Sequence, residues 1–324
     1  MLFVVGVAML AAVVVDNDPA AIAASIARLG WRLVIILLFP FVLVSLFDTF
    51  GWRFAFPSDR AGFGRLVLAR LAGEAFNAVT PTATLGGEAV KAWLLRGRVP
   101  TDEAVSSVIV AKTTITIGQG LLLLLGVTLA WTSLAADSAI LTAMEWLVAL
   151  EVLALGGFVI AQTRGILTRS GRLLARVGLP RLDGHATLGR IDHVLATFYR
   201  QRPGRLALSL GCHFVAWLLG AVEAWLMLWF LDMPVSLVTA TIIEAFGTGI
   251  RFATFVVPGS VGVLEGGYAA TFAALGFGST AGVAFSLVRR IREVFWVAVG
   301  LTVFAVMRPA TAPTGPRGVT PPVS

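Results

Sequence analysis

Long apolar runs alternate with short polar stretches along most of this chain. Runs of about 20 residues, the length that spans roughly 30 Å of hydrocarbon, lie near 31–50, 105–130, 138–160, 206–231 and 281–307. Less regular apolar segments fill the intervals between them. The pattern predicts an all-α polytopic membrane protein with seven or eight membrane helices.

Two of the irregular segments share a spacing of proline and glutamate. Pro81 and Glu88 are seven positions apart in TPTATLGGE, and Pro258 and Glu265 repeat that spacing in PGSVGVLE. A bilayer tolerates a kinked backbone and a carboxylate only where protein or a water-filled cavity surrounds them. These segments are therefore expected to be broken, to carry charge and to face one site.

The composition excludes a water-soluble domain, because 57% of the residues are hydrophobic, 13% are charged and the mean hydropathy is +0.88. Arginine placement gives the orientation, since cytoplasmic loops carry excess Lys and Arg. The stretch 161–205 is rich in arginine, whereas the loops near Asp16, Asp137 and Asp232 contain almost no basic residues. We expect the first to be cytoplasmic and the others external.

If 161–205 is cytoplasmic, both ends of 66–95 also fall on the cytoplasmic side, which predicts a re-entrant hairpin that turns near Pro81. The second half can be interpreted as the mirror image, with a hairpin over 236–276 that turns near Pro258. Opposed hairpins in two halves are typical of inverted-repeat transporters. The prediction is of related architecture, without a demonstrated sequence duplication.

The basic loop and the chain ends complete the organisation. Leu188, Ile191, Leu195 and Phe198 fall at helical spacing within 161–205, so this helix is expected to lie on the membrane and to attract anionic lipid headgroups. The inside loops account for the net charge of +7, and nucleic acid is not expected as a partner.

The N-terminal run is expected to be a retained first helix, because Asp16, Asn17 and Asp18 follow it where a signal peptide would have small residues. The membrane domain would then cover 1–308, and the proline-rich 309–324 would be a disordered tail.

Several charges lie inside the predicted membrane segments. Arg70 with Glu74, and Glu88 with Lys91, are spaced for pairing on one helical face. Lys112 lies in the next apolar helix, where it could contact a phosphate or carboxylate, snorkel to the interface, or pair with Glu74 or Glu88.

In the second half, Glu265 needs a cationic partner, which Arg251 or Lys112 could supply. Glu293 is four residues from Arg289 and is expected to pair with it. Glu145, Glu151 and Glu223 are further intramembrane carboxylates without an obvious local base, and nothing in their spacing selects one as a proton carrier.

The working hypothesis is a laterally open polar cavity between the two hairpins that solvates a lipid headgroup. The residues predicted to form this site are Glu74, Asn77, Pro81, Glu88, Lys91, Lys112, Arg251, Pro258 and Glu265.

Patterns for catalysis are mostly missing from the sequence. His185, His193 and His213 have no metal-ligand spacing, and no phosphate-binding loop is present. No cofactor or metal is therefore expected, and no enzyme activity. Two rival hypotheses stay open: an intramembrane lipid-modifying enzyme that uses Glu88 and Glu265 as acid and base, and a scaffold for lipid-synthesis enzymes.

The run from Asn77 through Pro81 to Gly86, Gly87, Glu88 and Lys91, with PGSVGVLEG in the second half, resembles the lysylphosphatidylglycerol synthase transmembrane, flippase-like family. Within it, the chain is similar to the hopanoid-biosynthesis-associated membrane proteins of bacteria. The resemblance implies a multi-pass protein of the bacterial inner membrane that moves a hopanoid, phospholipid or glycolipid between leaflets or toward the outer membrane. Homo-oligomerisation is left open.

The resemblance also implies a contrast with the full synthases, in which an aminoacyl-transferase domain follows the membrane region. This sequence has only 309–324 after the last expected helix, so lipid aminoacylation by the chain alone is not expected.

Overall fold

The computed structural model describes residues 2–59, 61–80, 85–135, 137–163 and 185–307. Within those ranges the chain is all-helical, without a β-strand. The helices are α1 (Leu2–Val15), α2 (Pro19–Arg28), α3 (Arg32–Phe54), α4 (Phe63–Val79), α5 (Leu85–Leu94), α6 (Thr101–Ser133), α7 (Ala139–Thr163), α8 (His185–Gln201), α9 (Pro203–Phe230), α10 (Leu237–Ala253), α11 (Val263–Ala274) and α12 (Ser279–Met307).

Four of the described helices, α3, α6, α7 and α9, are long and apolar enough to cross a membrane. A fifth span results if α1 and α2, which are bent by 89° at their junction, count as one. The prediction of an all-α polytopic membrane protein is thus confirmed. Any further crossings among the seven or eight predicted must come from shorter or charged helices such as α12, which carries Arg289, Arg290, Arg292 and Glu293 in its middle.

Each half of the chain contains a pair of short, mutually packed helices where a hairpin was predicted. These are α4 with α5, and α10 with α11. The turn of the first pair, and Pro81 with it, lies outside the described residues. The second pair is joined through a single 3₁₀ turn, Pro258–Ser260, in which Gly259 has a φ of 59°. A backbone that reverses this tightly requires the positive φ that glycine adopts without strain.

The two halves pack reciprocally. The first helix of each hairpin lies on the helix that follows the hairpin of the other half, α4 on α12 and α10 on α6. Both contacts are close, because a Cβ on Gly300 would lie 2.7 Å from Ala75 and a Cβ on Gly126 would collide with Ala245. Between them α3 packs along α9. The inverted repeat itself stays a prediction.

The apolar face of α8, which was expected to lie on the membrane, is covered by protein instead. Ile191, Leu195 and Phe198 are buried in the protein, within a cluster that includes Leu66 and Leu95. The apolar stripe satisfies its need for burial against α6, so lipid is not required to cover it. The rest of the basic loop, 164–184, and the tail 309–324 lie outside the described residues.

At the start of α9 a surface arginine holds the α3–α4 connection in place. Arg205 donates hydrogen bonds to the carbonyl oxygens of Arg53 and Phe54, and to Asp59 Oδ1 at 2.8 Å. The hydrogen bond from Arg205 holds the pKa of the Asp59 carboxyl below its usual value. This contact fixes the ends of α3 and α9, which border the candidate site.

Candidate functional site

A cavity of about 490 Å³ lies among the helices of both halves. Its walls come from α3, α4, α5, α6, α9, α10 and α12, and from the connection between α10 and α11. Both hairpins therefore face one space, as the repeated proline and glutamate spacing predicted.

The structure brings most of the predicted site residues to this cavity. Those that line it are Glu74, Asn77, Glu88, Lys91, Lys112 and Arg251. Pro81 lies outside the described residues. Pro258 belongs to the 3₁₀ turn whose neighbouring residues Val257 and Gly259 line the cavity. Glu265 is the exception, because it is fully buried away from the cavity.

Lys91 is the centre of the charge cluster in the first hairpin. Its Nζ lies 2.7 Å from Glu74 Oε1 and 3.0 Å from Glu88 Oε1. Asn77 joins the two helices of the hairpin, because its Nδ2 donates to Glu88 and its Oδ1 accepts the Gly87 N–H at 2.8 Å. The predicted pairing of Glu88 with Lys91 is confirmed, and Glu74 joins the same cation.

The predicted pairing of Arg70 with Glu74 is wrong. Arg70 instead donates to Asp48 and to Ser45 Oγ, both on α3. The second oxygen of Asp48 lies 3.0 Å from His213 Nδ1, on α9. This buried triad lines the cavity and holds three helices together. The argument from residue spacing did not predict Asp48 and His213 at the site. The only sequence feature that could have indicated them is that each is a polar residue within an apolar helix.

Lys112 differs from the other cations of the cavity wall. It is half-buried, and its ammonium has no ion-pair or hydrogen-bond partner among the described residues. Thr116 and Gln119 line the cavity one and two turns further along α6, and Gln119 donates to the Thr248 carbonyl of α10 at 3.0 Å. Of the three alternatives for Lys112, pairing with Glu74 or Glu88 is not what the structure shows.

The partners expected for Glu265 are wrong as well. Its Oε1 accepts from Arg290 at 2.6 Å, and its Oε2 accepts the Gly262 N–H at 2.7 Å. It thereby caps the N-terminus of α11, where a carboxylate is favoured by the orphan N–H groups and the helix dipole. Arg251 approaches Glu293 instead, at 3.7 Å.

The expected pair of Glu293 with Arg289 is also absent from the described contacts. Glu293 accepts from Arg290 at 2.7 Å, whereas Arg289 donates to Glu244 and, at 2.8 Å, to Tyr268. Arg292 pairs with Glu223. This carboxylate, for which the sequence offered no local base, therefore has its cationic partner on another helix. Arg292 and Glu293 line the cavity, although neither was among the predicted site residues.

One side of the cavity is apolar and reaches the surface. Phe252, Phe255, Val256 and Val257 line it where α10 ends. Phe255 and Val256 are 54% and 52% exposed. Together the walls offer cationic groups, hydrogen-bonding amides and hydroxyls, and an exposed apolar edge, which suits a molecule with a polar and an apolar part. The described residues include no group of three or more His, Cys, Asp or Glu side chains able to hold a metal.

Comparison with known proteins gave one match. The family model described as lysylphosphatidylglycerol synthase TM region matches residues 1–300. Neither curated proteins nor solved structures gave a match.

Proposed function

The chain belongs to the family of lysylphosphatidylglycerol synthase TM regions, and from that premise we propose that it moves a lipid whose headgroup carries an anionic group, such as a phosphate, across the membrane. The family and the helices make it a multi-pass membrane protein tied to lipid metabolism or transport. Transport itself, the bacterial inner membrane as its location, and the lipid are parts of the proposal.

The observation that carries the proposal is the ammonium of Lys112 in the cavity wall, which makes no hydrogen bond or ion pair among the described residues. A cation without a partner inside a membrane protein is costly, so it points to a ligand that supplies the opposite charge. Arg251, whose side chain is 42% exposed and whose contact with Glu293 is long, offers a second cation. A phosphate between them would find charge-assisted hydrogen bonds.

The shape of the cavity fits an amphiphile. Its volume of about 490 Å³ falls in the range of about 300–1,000 Å³ typical of small-molecule sites. A headgroup can occupy the charged side while the acyl or polycyclic tail leaves along the exposed edge at Phe255 and Val256. The protein lowers the free energy of moving a polar headgroup through hydrocarbon, because the cavity replaces part of its hydration.

The geometry is less favourable to an acid–base enzyme. Such an enzyme would need Glu88 and Glu265 to face the same substrate, but only Glu88 lines the cavity. Glu265 is held by Arg290 and the Gly262 N–H, so it has no free oxygen to offer. Transport needs no such pair.

The test is headgroup translocation in liposomes that contain the purified protein. Lys112→Gln should slow it on the order of tenfold or more, since a hydrogen bond to a charged group contributes about 1.5–3 kcal/mol. Lys112→Arg should retain most of the rate. Arg98→Gln, which removes a charge from an exposed turn, is the matched control and should transport as the unmodified protein does.

The lipids compared should be an anionic phospholipid, a zwitterionic phospholipid and a polar hopanoid without phosphate. Faster movement of the phospholipids with dependence on Lys112 supports the proposal. Movement of the hopanoid alone would overturn the proposal that the headgroup is anionic. If folded protein accelerated the movement of no lipid, the transport proposal would be overturned in favour of the enzyme or scaffold hypothesis.

A further inference from the structure

Glu151 is a buried carboxylate that the cavity does not use. It lies in α7, one of the helices able to cross a membrane, and it is 1% exposed. Both of its carboxyl oxygens are without a hydrogen-bond partner, and no ion pair involves it among the described residues.

The carboxyl group packs against the backbone of α6. A Cβ built on Gly120 would lie 3.5 Å from its Cδ and Oε1, and 3.7 Å from a methyl group of Leu155. One turn earlier on α7, Leu147 lies close to α10, because a Cβ built on Gly249 would be 2.9 Å from one of its methyl groups. The carboxyl group therefore lies beside α6 at Gly120, in an apolar contact between two helices.

Charged groups do occur on the elements that pack against α7, but none is bonded to Glu151. On α10, Glu244 is held by Arg289 and Arg251 approaches Glu293. The titratable side chains on these elements are Asp102, Glu103 and Lys112 on α6, Glu244 and Arg251 on α10, and His185, Arg190, Asp192, His193, Tyr199 and Arg200 on α8.

The contrast with the other buried carboxylates identifies what Glu151 binds. Glu88, Glu223, Glu244 and Glu265 each contact a lysine or an arginine. An ionised carboxylate without such a partner is several kcal/mol less stable inside a protein than in water, so the group takes up a proton instead. A neutral carboxylic acid suits the apolar contact with Gly120 and Leu155.

We infer that Glu151 is an intramembrane proton-binding site that couples the α6–α7 contact to the cavity. The same helix presents Gly120 to Glu151 and presents Lys112, Thr116 and Gln119 to the cavity. When the acid releases its proton, the resulting carboxylate is unstable against the α6 backbone, and α6 and α7 must separate to hydrate it. Movement of α6 changes the position of Lys112. The coupling to transport rests on the proposed function, whereas the proton site does not.

The proton site is tested in the purified, folded protein by infrared difference spectroscopy across a pH titration. A band from a protonated carboxylic acid should be present at neutral pH and absent in Glu151→Gln. Glu145→Gln is the matched control: Glu145 is on the same helix but exposed, and it already accepts a hydrogen bond from Trp131. A spectrum in which Glu151 is ionised at neutral pH would overturn the inference.

The coupling is tested by transport into liposomes with and without a proton gradient. We expect the gradient to change the rate in the unmodified protein and in Glu145→Gln, and to have no effect in Glu151→Gln, which should keep the rate measured without a gradient. A gradient effect that persists in Glu151→Gln would overturn the coupling. Failure of the unmodified protein to transport any lipid would count against the proposed function, and the infrared result would still decide the proton site.

Discussion

At the scale of single residues, Lys91 determines whether the first hairpin is stable. Its ammonium neutralises Glu74 and Glu88, and it is 8% exposed. Lys91→Met should therefore lower the free energy of unfolding. Breaking a buried ion pair costs about 3–5 kcal/mol, and we expect the lower end because the Glu74 side chain is 40% exposed.

Thermal unfolding in detergent measures this change. Adding Glu74→Gln and Glu88→Gln to Lys91→Met removes the uncompensated charges, so the triple variant should recover most of the lost stability. Equal melting temperatures for Lys91→Met and the unmodified protein would show that the cluster does not stabilise the fold.

A second residue-scale prediction concerns the contact between Gly51 and His213. A Cβ on Gly51 would lie 2.6 Å from Cε1 and Nε2 of the imidazole, which is held on its other side by Asp48. Gly51→Ala should destabilise the protein by about 1–3 kcal/mol, as overpacking of a filled core does.

The control is Gly211→Ala, on the same helix as His213 but with no atom within 4 Å of the added Cβ. It should leave the melting temperature unchanged or raise it, because alanine is the better helix former. Equal melting temperatures for the two variants would show that the close contact at Gly51 does not limit the residue that fits there.

The sequence identified the charges of the site better than their partners. Glu74, Asn77, Glu88, Lys91 and Lys112 were predicted at the site, because charge in an apolar run marks a cavity. Pairings based on spacing along one helix failed for Arg70 and Arg289, whose partners lie on α3 and α10. Two charges paired on one helix each stay partly exposed to lipid, whereas a partner on a neighbouring packed helix also buries the charge. Such a partner cannot be predicted from the spacing of residues within one segment.

At the scale of elements, each hairpin is held across its turn by the side chain four residues before its proline. In the first hairpin this is Asn77, which accepts the Gly87 N–H. In the second it is Thr254, whose Oγ1 donates to Ser260 Oγ at 2.8 Å. Two unlike residues at matching positions thus each hold part of their hairpin by a side-chain hydrogen bond.

Asn77→Ala should loosen the first hairpin. The Gly87 N–H would lose its acceptor, at about 1–3 kcal/mol for an unsatisfied group, and its amide hydrogen should exchange faster with solvent deuterium. Val79→Ala, at a residue that is 51% exposed, is the control and should leave that exchange rate unchanged. Unchanged exchange in Asn77→Ala would mean that the hydrogen bond does not hold the turn.

At the scale of the whole molecule, arginine placement predicts the orientation of the protein in the membrane. In a Cys212→Ala background, which removes the chain's lone cysteine, Arg98→Cys and Asp137→Cys place one thiol at each end of α6. A membrane-impermeant maleimide should label Asp137→Cys in intact cells, and Arg98→Cys only after permeabilisation. The opposite pattern would invert the topology, and equal labelling would show that α6 does not cross.

The long helices were predictable because an uninterrupted apolar run of that length has few other uses. The packing of α8 was not predictable, because the apolar stripe at Ile191, Leu195 and Phe198 has the same sequence pattern whether protein or lipid covers it. The number of crossings was also hard to predict at α12, because its three central arginines lower its hydropathy although each is paired with a glutamate of another helix, Glu223, Glu244 or Glu265.

The reciprocal packing of the two halves has a consequence for biosynthesis. The ribosome makes the chain from its N-terminus, so α4 enters the membrane long before α12, the helix that covers it. During that interval the close-packing surface around Ala75 has no Gly300 to receive it. A nascent chain that stops before α12 would therefore expose this surface of the hairpin to membrane proteases.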